Sequence, residues 1–118
     1  HGAVLEWLGR NAGVQVKWHN WWNAPRTMAK VQATDKVASH ASWMENFPWT
    51  RLGNIAMPDA QKPMMQIDRF QQVDPVAKKE ILGDGNFGGR YQRSDEDMLA
   101  IWRVAVEETR ALIAEGWA

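Results

Sequence analysis

Ala3-Val4-Leu5-Glu6-Trp7-Leu8-Gly9-Arg10-Asn11-Ala12-Gly13-Val14-Gln15-Val16-Lys17-Trp18 is the stretch on which the fold class turns. Val4, Leu5, Trp7 and Leu8 share one broad face of a helix over 3–11, and Gly13 stands where such a helix stops. Beyond the glycine, Val14, Val16 and Trp18 alternate with Gln15 and Lys17, the period of a half-buried strand. Helix, glycine, strand is half of a βαβ unit, and the crossover helix of a parallel sheet has to start from a strand. None precedes this helix. The reading is therefore an α/β chain, a three-layer α/β/α arrangement with a mainly parallel sheet, completed by another chain.

Downstream, Pro25 is expected to end regular structure, with a short helix or covering loop over 27–37. Pro58, Pro63 and Pro75 make 53–75 an extended connection, whose Ile55, Met57, Met64, Met65, Ile67 and Phe70 are too apolar for a disordered linker. Asp74 and Pro75 read as the cap and first residue of a short helix to Leu82. The glycine-rich 83–89 lacks a following Gly-Lys-Ser/Thr, so it reads as a tight turn rather than a phosphate loop. Ser94 then caps the clearest helix. Met98, Ile101, Trp102, Ala105, Val106, Thr109, Leu112 and Ile113 recur at helical spacing until Gly116, as expected of a helix covering a sheet.

The 118 residues fit one domain, and 14 basic residues balance 14 acidic ones. That neutrality argues against nucleic-acid binding, which needs a basic surface to displace counterions. It offers no polybasic membrane anchor, and no apolar run approaches the roughly 20 residues of a spanning helix. With no cysteine there is no disulfide and no thiolate site, and with no signal-like opening a cytoplasmic location is the expectation. Eight tryptophans are an unusual load, and tryptophan serves cores, pockets and interfaces alike.

Three histidines carry the candidate chemistry. His40 and Glu45 sit five apart in Ser39-His40-Ala41-Ser42-Trp43-Met44-Glu45-Asn46, and a tight turn would bring them to one pocket. Imidazole and carboxylate can act there as acid and base, or ligate zinc or manganese. His19, followed by Asn20, Trp21 and Trp22, falls at the end of the expected strand, where open sheets place their ligand crevices. An N-terminal His1 could chelate copper, although the chain lacks a β-sandwich pattern around it.

Ser39 to Asn46 resembles the creatininase-family motif of His, Ala or Gly, two variable residues, an aromatic, Glu and then Thr-Ser, although Asn46-Phe47 stands where Thr-Ser is usual. Val16-Lys17-Trp18-His19-Asn20-Trp21-Trp22-Asn23 is similar to that family's aromatic strand end, and the late glycine loop before a final helix follows in the same order. The resemblance makes 1–118 the C-terminal half of a creatininase-like domain, a metal-dependent amidohydrolase acting on cyclic or linear amides. It implies two divalent ions, zinc or manganese or iron. It makes Glu45 a metal ligand, His40 the catalytic proton shuttle, and Trp22, Trp21 and Trp43 substrate-binding aromatics. The family's earlier metal ligands are not in this chain unless His1 is a remnant of them. The implied partners are a complementary N-terminal-half chain and a small amide substrate, in a higher oligomer. Lys36 and Val37 stand where an aromatic gate would be, which argues against creatinine itself. Two other readings are a non-catalytic subunit stabilising a catalytic chain and a binding module gripping a flat ligand.

Overall fold

In the computed structural model, which describes residues 1–116, the two helices that the sequence marks with capping residues begin where those residues stand. Ser94 Oγ accepts the Asp97 N–H at 3.2 Å and opens α5 (Asp95–Ala114), whose first turn places three acidic residues at the positive end of the helix dipole. Asp74 Oδ1 accepts from Ala77 N–H at 3.1 Å and Val76 N–H at 2.8 Å, opening α4 (Pro75–Leu82). Those two bonds hold the Asp74 carboxyl below the usual aspartate value. The other helices among the described residues are α1 (Gly2–Arg10), α2 (Pro25–Thr34) and α3 (Ile67–Gln72). Single 3-10 turns lie at Trp21–Asn23, Trp43–Glu45 and Pro48–Thr50.

Helix α2 departs from the sequence reading, because Pro25 begins it rather than ending regular structure. Proline at the first helical position has no N–H to leave unpaired, so it is suited to a start as well as a stop. The residue before it, Ala24, has no capping side chain. The cap arrives from α5 instead. Glu108 accepts from Arg26 N–H at 2.9 Å, Thr27 N–H at 2.8 Å and Thr27 Oγ1 at 2.8 Å. Desolvation between the helices pushes the Glu108 carboxyl up, but these donors together outweigh it and leave the carboxyl below its ordinary value.

Held end-on in this way, α2 lies along α5 and the core forms between them and the 43–47 segment. Val31, Trp43, Met44, Phe47, Met98 and Ile101 are its buried members. Trp43 is fully buried, donates its indole N–H to Val37 O at 3.0 Å, and carries the Arg93 guanidinium over its ring at 5.2 Å. Arg93 is itself held by Asp35 and Asp97, each at 3.0 Å. Buried Thr27, Ser42 and Asn86 all have hydrogen-bond partners.

The residues expected to form a strand over 14–18 adopt none, and Val14, Val16 and Trp18 are exposed. Sheet among the described residues is one antiparallel ribbon, β1 (Gln61–Lys62) with β2 (Gly89–Arg90), in the register Gln61 to Arg90 and Lys62 to Gly89. Alternation marks a strand only if a neighbouring strand accepts its backbone bonds, and these residues have no such neighbour here. Helix α5 accordingly packs on α2 rather than on a sheet. A three-layer sandwich would have to take its sheet from elsewhere.

The radius of gyration is 17.8 Å, against about 13.5 Å for a compact chain of this length. The exposed surface is 8577 Å², where a compact monomer of this mass exposes about 6500 Å². Open apolar surface is part of the difference. Leu5, Trp7, Val14, Val16 and Trp18 are all exposed, and α1 buries none of its residues.

The cap from α5 sets an expectation for stability. Removing it in Glu108→Ala should cost about 1–2 kcal/mol in urea unfolding at neutral pH, the usual scale for a lost helix cap. Because the folded carboxyl lies below its unfolded value, its contribution is present above the unfolded value and is lost as pH falls through the folded one. The gap between wild type and variant should therefore narrow on acidification.

Candidate functional site

His40 and Glu45 are brought together by a turn that the sequence between them builds. Ser42 Oγ donates to Ser39 O at 2.6 Å and accepts the Ser39 N–H at 2.9 Å, while Ser42 N–H bonds Ser39 O at 3.2 Å. The chain then passes through Ala41 at φ +56°, the left-handed region that a side chain disfavours. Ala41 N–H donates to Glu45 Oε2 at 3.1 Å, holding that turn from the far side. Burial of Trp43 and Met44 anchors the 3-10 turn that carries Glu45.

The result is a close pair, with His40 Nδ1 3.3 Å from Glu45 Oε1. An ionised carboxylate only accepts, so Nδ1 carries the proton in this contact and Nε2 is the ring nitrogen left over. His40 also rests edge-on against Phe87, with ring centres 5.2 Å apart, and its carbonyl accepts the Phe87 N–H at 3.1 Å. The glycine loop thus does more than deliver α5. Gly88 and Gly89 have φ of +136° and +110°, and a Cβ on Gly89 would stand 2.6 Å from Val37 O. Only glycine lets this loop lie against the backbone that carries the pair.

The pair stands on the wall of a cleft of about 800 Å³ that Trp21, Trp22, Phe47, Trp49 and Trp102 also line. Trp21 and Trp22 are therefore beside His40 and Glu45, and the 3-10 turn at Trp21–Asn23 puts them there. Trp43 is not among the cleft's walls. Expected as a substrate contact, it is a core residue, because the turn that presents Glu45 points its neighbour's indole inward. His19 lies away from His40. Thr109 Oγ1 gives its hydrogen to Ala105 O at 2.8 Å, so it accepts from His19 Nε2 at 3.0 Å. His19 and Trp18 line a separate cleft of about 540 Å³ against α5.

Phe47, Trp49 and Trp102 were not singled out in the sequence as site residues. The first two follow the motif directly, and the tryptophan excess was the available signal. Trp102 belongs to the apolar stripe of α5 and reaches the cleft only through the α2–α5 packing. On its other side, Glu45 borders a further cleft of about 590 Å³ that includes Asp84 and Tyr91.

Glu45 and His40 are donors of the kind that zinc, manganese or iron takes, but a zinc site needs three or four. Among the described residues no group of three or more His, Asp or Glu side chains could hold a metal ion. The pair is at most part of a ligand set. Compared with known proteins, the chain matches no family model, no curated protein and no solved structure.

Two expectations concern the loop that braces the pair. Gly89→Ala should lower stability by about 2 kcal/mol or more, since it meets both a close carbonyl and an unfavourable φ. Gly53→Ala, with nothing within 4 Å, is the neutral control in the same thermal unfolding series. Asp84 is held at a pKa of about 2, first by the hydrogen bond from Lys62 and then by that from Tyr91. Its contribution is present above the unfolded value and disappears as pH falls toward the folded one. Asp84→Asn should thus melt lower than wild type at pH 7, and the gap should close between about pH 4 and pH 2.

Proposed function

We propose that this chain contributes part of the active site of a metal-dependent amidohydrolase, with the remaining metal ligands supplied by a second polypeptide. The convergence of His40 and Glu45 on the wall of an aromatic cleft carries the reading. Glu45 Oε1 orients the imidazole through Nδ1, and Nε2 exchanges a proton with the reacting groups, delivering it to the departing nitrogen of a cyclic or linear amide. Trp22 and Trp21 shape the space beside it. Zinc or manganese ions, when bound, would polarise the amide carbonyl and lower the pKa of an attacking water.

The open surface supports a partner. An excess of about 2000 Å² over a compact monomer is what one side of a large obligate interface covers. The exposed apolar residues of 5–18, where the sequence expects a strand, supply much of its chemistry. Among the described residues no helix is long and apolar enough to cross a membrane. We place the assembly in the cytoplasm, in keeping with the lack of cysteine.

The test is the composition, metal content and amide-cleaving activity of the native assembly. A co-purifying chain and bound zinc or manganese are expected. His40→Ala should lower kcat by about 100-fold or more with metal retained. Metal loss in Glu45→Ala makes that residue a ligand, whereas retained metal with a fall in kcat makes it a positioning residue for His40. A metal-free assembly, or hydrolysis indifferent to both substitutions, overturns the proposal. Metal retained in both variants, with no amide cleaved by the wild type, points to the non-catalytic subunit instead.

A further inference from the structure

The His40 side chain is 66% exposed, so surrounding packing does little to fix its imidazole. Glu45 divides its two oxygens, Oε1 meeting His40 Nδ1 at 3.3 Å and Oε2 accepting the Ala41 N–H at 3.1 Å. One long hydrogen bond sets the distance of a ring but leaves it free to tilt about that bond. Tilting swings Nε2, the nitrogen that has to meet a reacting atom in a narrow range of directions. Among the described residues, the ring that His40 meets is Phe87, with centres 5.2 Å apart and 82° between planes.

Phe87 sits in a loop, yet the loop is tied down on both sides of it. Its N–H donates to His40 O at 3.1 Å, and its carbonyl accepts the Met65 N–H at 2.7 Å. Buried Asn86 reaches past it to accept the Gly88 N–H at 2.7 Å, and Gly88 O accepts from Ser39 Oγ at 2.5 Å. Behind the ring stands Phe70 of α3, with centres 6.0 Å apart. A perpendicular contact at this range is a favoured arrangement of two rings, and a tilted imidazole would lose it. Phe87 is not among the residues that line the cleft. Its ring bears on the imidazole and not on a molecule bound there.

We propose that Phe87 is a positioning residue for His40, fixing the tilt of the imidazole so that Nε2 keeps one direction in the cleft. The inference rests on the reading of His40 as the proton shuttle, and it adds the residue that aims the shuttle.

Phe87→Leu is the variant that tests it, because the bonds to His40 O and from Met65 N–H are main-chain and do not depend on the ring. In the native assembly kcat should fall about tenfold with KM changed less than about twofold, the pattern of lost orientation rather than lost binding. Phe87→Tyr, which keeps the ring, should restore most of kcat. Nitrogen NMR of the imidazoles gives a readout that needs no turnover, with His40→Gln identifying the His40 signals. The neutral ring of the wild type should be in the Nδ1–H form, and that of Phe87→Leu a mixture of the Nδ1–H and Nε2–H forms. Where thermal unfolding shows Phe87→Leu unstable, Phe87→Met refills the space without a ring and carries the same expectations. An unchanged kcat, an unchanged His40 form, or a rise in KM with kcat kept overturns the proposal. A changed His40 form in an assembly whose wild type cleaves no amide supports the positioning and overturns the hydrolase reading alone.

Discussion

A carboxylate on one helix capping the start of another is the contact on which this structure depends. Helix α2 begins with Pro25 after Ala24, so its first N–H groups have no local side chain to receive them. Glu108 receives two of them from α5, 81 and 82 residues away in sequence. The contact locks the two helices in register, and that register decides which residues of α5 face Val31. Met98, Ile101 and Ala105 are buried as a result, and Trp102 is left at the edge of the cleft.

The core built on this contact is small. Its buried members come from α2, α5 and the 43–47 segment, and they leave the first eighteen residues with little to pack against. Among the described residues, fifteen large hydrophobic side chains stay exposed. A chain that buries so little of its apolar surface is only modestly stabilised by it. Polar contacts therefore carry much of the local definition, as in the Lys62–Asp84–Tyr91 group and in Arg93 between Asp35 and Asp97.

Besides the 3-10 turn that supplies Trp21 and Trp22, the candidate site draws on three separate parts of the chain. A local turn pairs His40 with Glu45, the glycine loop braces that turn from behind through Gly89 and Phe87, and the α2–α5 packing supplies Trp102. Strain at Ala41 is tolerated because the Glu45 carboxylate bonds the Ala41 N–H and the burial of Trp43 prevents the turn from relaxing. The same burial explains why an aromatic in the motif serves the core while its neighbour Glu45 faces the cleft. Successive residues of a 3-10 turn point in different directions, and the largest apolar one goes inward.

Several local features are legible from neighbouring residues: Asp74 and Ser94 as caps, α4 and α5 as helices, and the glycine loop as a turn. Each depends on groups within a few residues of one another, where hydrogen-bond reach and helical period leave little choice. Long-range packing set the rest: Pro25 starts a helix, 14–18 forms no strand, Trp43 is core, and Trp49 and Trp102 wall the cleft. A proline is as suited to a helix start as to a stop, and an alternating stretch needs a partner before it becomes a strand. Those outcomes rest on what the distant carboxylate of Glu108 caps and on which surfaces find a neighbour, and neither is written in the spacing of nearby residues.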